Sequence, residues 1–154
     1  CGTIIAVDLD ADRLDKALSL GADYAIRSDL QDATTEVQSL THGQGADHAF
    51  EVVGIDPTLQ TALACIHKGG TVTLVGNVAP QTNFPLQQVV TRQITLYGSC
   101  ASAGEYPACL DMIARGAIDV EALISAVAPL AEGNDWFQRL YKHEPGLMKV
   151  ILEP

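Results

Sequence analysis

Short apolar runs alternate with stretches whose apolar positions recur every three or four residues, and this beat continues along the whole chain. Thr3–Val7 reads as a strand that meets an acid at Asp8. Asp10 is placed to cap a helix whose Leu14, Ala17 and Leu18 share one face, with Gly21 as its C′ residue. Tyr24 to Ile26 predicts a short second strand, and Thr34 to Leu40 a helix in which Val37 and Leu40 have the right spacing. "THGQGAD" is a turn by its two glycines, and His48 to Val53 follows as a third strand. Asp56 then stands as N-cap with Pro57 at the first helical position, and Leu59, Ala62, Leu63 and Ile66 form one stripe before Gly69 and Gly70.

The same reading makes "TVTLVG" a buried strand and puts a helical piece around Leu86, Val89 and Val90, before the strand "ITLYG". Pro107 opens a helix with Leu110, Ile113 and Ala114 on one face, closed by Gly116. "LISAVAPL" is extended, Trp136, Phe137, Leu140 and Tyr141 have helical spacing after Asp135, and "LMKVIL" is a last strand. Apolar strands alternating with amphipathic helices imply a parallel sheet, because parallel neighbours need crossover connections and both sheet faces are then covered. The fold class expected is α/β, a doubly wound parallel sheet of the Rossmann-like kind. Ligands of such sheets bind at the carboxyl ends of the strands, so the loops after Val7, Val53, Val75 and Tyr97 are where chemistry belongs.

Composition narrows the partners. The 154 residues are 47% hydrophobic and 18% charged, a globular balance, and at this length roughly 70% of the unfolded surface can be buried. No apolar run approaches the ~18 residues of a spanning helix, and Thr3–Val7 is too short and lacks the basic flank of a signal peptide. The net charge of -10, with no Lys/Arg cluster, argues against nucleic acid or anionic membrane as partner. Cys1, Cys65, Cys100 and Cys109 show no C-x-x-C spacing, and Cys65 and Cys109 fall in apolar helical patterns, which suits buried free thiols in a cytoplasmic protein. The chain does not begin with Met and opens nearly inside a strand, which reads as a fragment, a processed product or a truncated reading frame.

At the strand ends, Asp8 is placed where a carboxylate accepts hydrogen bonds from both hydroxyls of an adenosine ribose and repels a 2′-phosphate. Taken alone, such an acid is equally a helix N-terminal charge favoured by the dipole. Leu9 follows instead of a base, and Arg13 lies early in the helix. Gly54 after "EVV" and Gly76 after "TLV" let backbone come close to a flat ligand. Two glycines at successive strand ends, after an Asp-terminated strand, favour a planar ligand across this edge.

In this order and at these separations, "AVDLDADRLDKALSLGAD", "GADHAFEVVG", "HKGGTVTLVG", "ITLYGSCAS" and "LMKVIL" resemble the carboxyl-terminal half of zinc-type medium-chain alcohol and polyol dehydrogenases. The sorbitol, sugar-alcohol-phosphate and threonine dehydrogenase subgroups are the nearest. The likeness covers nearly the whole chain and rests on the ordered set of motifs. It implies that Asp8 and Arg13 bind the adenosine ribose of NAD, that Val53 and Gly54 lie near the cofactor, and that Gly76 and Asn77 flank the nicotinamide ribose. It further implies that Ser99, Cys100 and Ala101 run past the nicotinamide, and that Lys149 stands near the pyrophosphate, although a solvated terminal lysine explains Lys149 equally well. Residues 1–101 then read as a partial NAD-binding domain, and 102–154 as a segment that in the family returns to the catalytic domain. A homo-oligomer is implied, with "ITLYGSCAS" near the edge that pairs in family dimers.

Two departures shape the expectation for activity. In the family, zinc polarises the alcohol oxygen during hydride transfer, and its ligands lie in an amino-terminal domain that these residues do not include. His42, His48, His67 and His143 form no ligand motif, so no metal or catalytic residue is assigned within the chain. The first strand with its G-x-G-x-x-G turn is also absent, and "GQGAD" precedes a strand instead of following one. The missing strand is normally central, so its two neighbours become exposed edges. The chain alone is therefore expected to bind NAD weakly and not to turn over polyols. A competing reading is a non-catalytic module whose edges pair with a second copy or with a separate amino-terminal piece. A third, a methyltransferase using Asp8 on the ribose of S-adenosylmethionine, is disfavoured by the tail after Gly98.

Overall fold

The computed structural model describes residues 2–154. The expectation of a free thiol at Cys1 lies outside the described residues. Strands and helices alternate as β1 (Ile5–Asp8), α1 (Ala11–Ser19), β2 (Tyr24–Arg27), α2 (Ala33–Leu40), β3 (Ala46–Glu51), α3 (Asp56–Cys65), β4 (Ile66–Leu74), α4 (Leu86–Thr91) and β5 (Thr95–Gly98). They continue as α5 (Tyr106–Ala114), β6 (Ile124–Pro129), α6 (Gly133–Tyr141) and β7 (Lys149–Glu153). β1 pairs with β2, β3–β4–β5 form a three-stranded sheet, and β6 pairs with β7. The β3–β4, β4–β5 and β6–β7 pairs are all parallel, as the alternating pattern requires. β1 and β3 belong to different sheets. The α/β class stands. No helix among the described residues is long and apolar enough to cross a membrane.

The chain divides into two compact units, residues 26–101 and residues 1–25 with 102–154. In the first, Ala49, Val72 and Leu96 lie side by side across the three strands. Leu59 and Leu63 of α3 join Ile66, Val72 and Ile94 in the buried core, with Ala49, Leu74, Val89 and Leu96 packed against it. Strand side chains alternate between faces, so the neighbouring row Phe50, Thr73 and Tyr97 points the other way. Phe50 is 68% and Tyr97 59% exposed there.

Two expectations for α3 are corrected. Ile55, not Asp56, is the N-cap; Asp56 and Pro57 lie inside the first turn. The carboxylate of Asp56 is engaged elsewhere, accepting from the Asn83 amide N–H at 2.8 Å and from the Asn83 side chain. The helix also ends at Cys65, before Gly69 and Gly70, and Ile66 already belongs to β4. Its end is satisfied from outside: the Arg92 guanidinium donates to the carbonyls of Leu63 (2.7 Å) and Ile66. That long-range cap replaces the glycine stop the sequence suggested.

In the second unit, Asp10 caps α1 by accepting from Asp12 N–H at 2.8 Å and Arg13 N–H at 3.3 Å, and Gly21 takes φ +106° past its end. Ser125 ties β6 to the approach of β7, donating to the Gly146 carbonyl and accepting from Met148 N–H. The apolar stripes expected of α5 and α6 are present but incompletely covered: no residue of α5 is buried, and in α6 Trp136 and Leu140 are half-buried while Phe137 and Tyr141 are exposed. Cys109 on α5 is accordingly exposed, against the expectation of a buried thiol, whereas Cys65 is buried and free. Periodicity marks positions that share a face and does not say whether another element covers it.

Candidate functional site

The geometry of interest lies where β3 and β4 end, within residues 26–101. Past Leu74 the pairing continues as a loop contact: the N–H groups of Val75 and Gly76 donate to the Glu51 carbonyl at 2.8 and 3.0 Å. Farther out, Val78 N–H donates to the Val53 carbonyl at 3.2 Å and Ala79 N–H to the Gly54 carbonyl at 2.9 Å. Between these bonds the backbones touch. A Cβ on Gly76 would sit 2.1 Å from the Gly54 nitrogen, and one on Gly54, which has φ +85°, would sit 2.4 Å from the Asn77 nitrogen. The two glycines therefore first make room for each other's loop. No Cβ stands between the two backbones at this contact.

The same edge extends to β5. Ser99 N–H donates to the Leu74 carbonyl at 2.9 Å, and residues 74–77 and 98–101 line a cleft of about 520 Å³. Gly76, Asn77, Ser99, Cys100 and Ala101 thus share one cleft, with Gly54 against its rim; Ala101 adopts φ +53°. Val53 precedes Gly54 in the loop that faces it.

Sequence reasoning missed Glu51, the last residue of β3. It is 4% exposed, the one buried charged side chain among the described residues. Its Oε1 accepts from Val53 N–H at 3.0 Å, Gly54 N–H at 2.8 Å and the Thr58 hydroxyl at 2.6 Å. Burial raises the carboxyl pKa, but the bonds from Gly54, Thr58 and Val53 outweigh it, and the group titrates below its ordinary value. An acid within the otherwise apolar "FEVV" was the available signal. The loop after β4 is braced a second time by Asn83, held by Asp56 and by the Gln60 amide, which donates to the Asn83 carbonyl at 2.9 Å. These partners are distant in sequence and had no local signature.

In the other unit, Asp8 closes β1 with its Oδ1 accepting from Leu9 N–H at 2.7 Å and Asp10 N–H at 3.0 Å. The Arg13 guanidinium lies 4.0 Å from its second oxygen, so the structure brings these two predicted residues together. Lys149 is the first residue of β7, exposed and opposite Ile124. No group of three His, Cys, Asp or Glu side chains that could hold a metal occurs among the described residues.

Residues 1–115 match the family of zinc-binding dehydrogenases. The chain belongs to that family. Among curated zinc-binding dehydrogenase relatives, the sorbitol dehydrogenase of Bacillus subtilis (strain 168) is 32% identical over 155 residues, covering 99% of this chain and 44% of that protein. The L-idonate 5-dehydrogenase of Vitis vinifera is 36% identical over 127 residues, covering 79% of this chain and 34% of that protein. Among solved structures, the alcohol dehydrogenase TADH from Thermus sp. ATN1 superposes with a TM-score of 0.91 at 31% identity, over 100% of this chain and 44% of its own. The chain spans less than half the length of these relatives. The resemblance to alcohol and polyol dehydrogenases stands, as does the oxidoreductase class that their names carry.

Proposed function

We propose that this chain is the cofactor-binding portion of a zinc-type dehydrogenase that transfers hydride between a polyol or secondary alcohol and NAD. The observation that carries the reading is the edge at the ends of β3, β4 and β5, where two loops without side chains at their contact adjoin a cleft. Parallel α/β sheets bind flat cofactors at such an edge. In this reading Val53, Gly54, Gly76, Asn77, Ser99, Cys100 and Ala101 lie along the cofactor. Asp8, with Arg13 beside it, takes the adenosine ribose, and Lys149 a phosphate. Residues 1–101 act as the partial cofactor domain, and 102–154 as the segment that continues to the catalytic domain. In the complete enzyme zinc would supply Lewis-acid polarisation of the alcohol oxygen; the described residues bring no ligand cluster for it.

Fluorescence titration with NADH and NADPH tests the reading. The chain is expected to bind NADH in preference to NADPH, and Asp8→Asn to narrow that preference about tenfold, the worth of a charge-assisted hydrogen bond. Equal binding of both dinucleotides, or indifference to Asp8→Asn, would sink it. Zinc-dependent NADH production from polyols by the chain alone is not expected.

One observation favours a second reading, a non-catalytic module that self-associates: Phe50 and Tyr97 stand exposed on one face of the three-stranded sheet, with Val52 beyond the strand end also exposed. Light scattering after size exclusion separates the two, since a strictly monomeric chain that binds NADH contradicts self-association.

A further inference from the structure

Glu51 is a costly residue for its place. A buried carboxylate without a counter-ion loses its hydration, and only good hydrogen bonds recover the loss. Among the ion pairs of the described residues none involves Glu51. Its compensation is three donors on one oxygen at 2.6 to 3.0 Å: two successive loop amides and a hydroxyl from the first turn of α3.

The same residue also reaches the second loop. Its carbonyl accepts from Val75 N–H and Gly76 N–H, so its side chain sets the Val53–Gly54 turn while its backbone sets the start of the facing loop. Gly54 and Gly76 tolerate no slack, because their backbones are already in contact. A turn in another conformation would lift Gly54 off Gly76 and change the surface next to the cleft.

We propose that Glu51 is a positioning residue for the dinucleotide: its carboxylate holds the Val53–Gly54 turn against Gly76–Asn77 in the one shape that the cofactor binds. This rests on the cofactor reading above. Thr58 is its partner, because the hydroxyl fixes the carboxylate from α3.

Three variants of the full chain test the proposal. Thr58→Val removes one donor and keeps the carboxylate, and Glu51→Gln keeps an acceptor oxygen and removes the charge. Ile94→Val deletes a methyl from the core at the opposite end of β5, as a control for general loss of stability. NADH affinity is read by fluorescence, and the loop by amide hydrogen exchange at Gly54 and Gly76. Thr58→Val and Glu51→Gln are each expected to weaken NADH binding about tenfold and to speed exchange at both glycines, as loss of a charge-assisted bond implies. Ile94→Val should change neither. Wild-type affinity in Thr58→Val overturns the proposal, as does an equal loss of affinity in Ile94→Val. If Glu51→Gln does not fold, Thr58→Val decides alone. Failure of the wild-type chain to bind NADH overturns the cofactor reading and the role of Glu51 with it, an outcome distinct from binding that ignores the variants.

Discussion

Replacing Gly76 by alanine puts one methyl group where the backbones of two loops meet. The new carbon would lie 2.1 Å from the Gly54 nitrogen and 2.2 Å from the Val53 carbonyl carbon, and neither neighbour is the free end of a side chain. The loops must part by at least about 1 Å to reach ordinary contact, which stretches the flanking bonds from Val78 to Val53 and from Ala79 to Gly54 out of range. Two lost bonds at about 1 kcal/mol each, with overpacking strain of similar size, come to roughly 2–4 kcal/mol. Gly98 is the control, because a Cβ there meets nothing within 4 Å and its backbone is not left-handed. Gly98→Ala should stay within ~0.5 kcal/mol of wild type. Urea denaturation monitored by circular dichroism measures both, with the slope checked for constancy. A Gly76→Ala protein as stable as wild type, or equal losses at the two glycines, would refute the claim that glycine is required for loop-to-loop contact.

The remaining predictions concern titrating groups. Glu51 has a folded pKa below its ordinary value, because three hydrogen bonds outweigh burial. Its contribution to stability is therefore full above the unfolded value of ~4.3 and fades as pH falls through the lower folded value. The stability difference between wild type and Glu51→Gln should narrow on acidification in urea melts from pH 7 to pH 3, and a gap that stays constant would contradict the carboxylate network. Burial raises the Cys65 thiol pKa, as does the nearby Asp32 charge, against a lowering hydrogen bond from Thr34. Alkylation at pH 8 followed by peptide mapping should find Cys100 and Cys109 modified well before Cys65, which should react only on unfolding. Early labelling of Cys65 would mean that the α3–β4 junction opens readily.

The strand ends that carry the candidate site are legible in the sequence because their markers are local. Asp8 closes an apolar strand, and Gly54 and Gly76 follow two others, so each advertises a strand end without reference to the rest of the molecule. Their mutual contact was not legible. Locally, Gly54 and Gly76 mark openings toward a ligand, whereas in the fold each makes space first for the other, a relation fixed by the β3–β4 register. Glu51 was overlooked for the same kind of reason: its three donors come from two loop amides and a helix that meet only after folding.

Hydrophobic period and turn chemistry by themselves determined the order of strands and helices and the parallel α/β class. These depend on backbone geometry that repeats every two or 3.6 residues, and a sequence displays it directly. Tertiary structure alone decided that α3 stops at Cys65 under the Arg92 guanidinium, that the stripe of α5 lies uncovered, and that a buried carboxylate ties two loops together. Each of those outcomes depends on which distant groups come within hydrogen-bond or van der Waals reach. That is a matter of packing, and no local pattern records it.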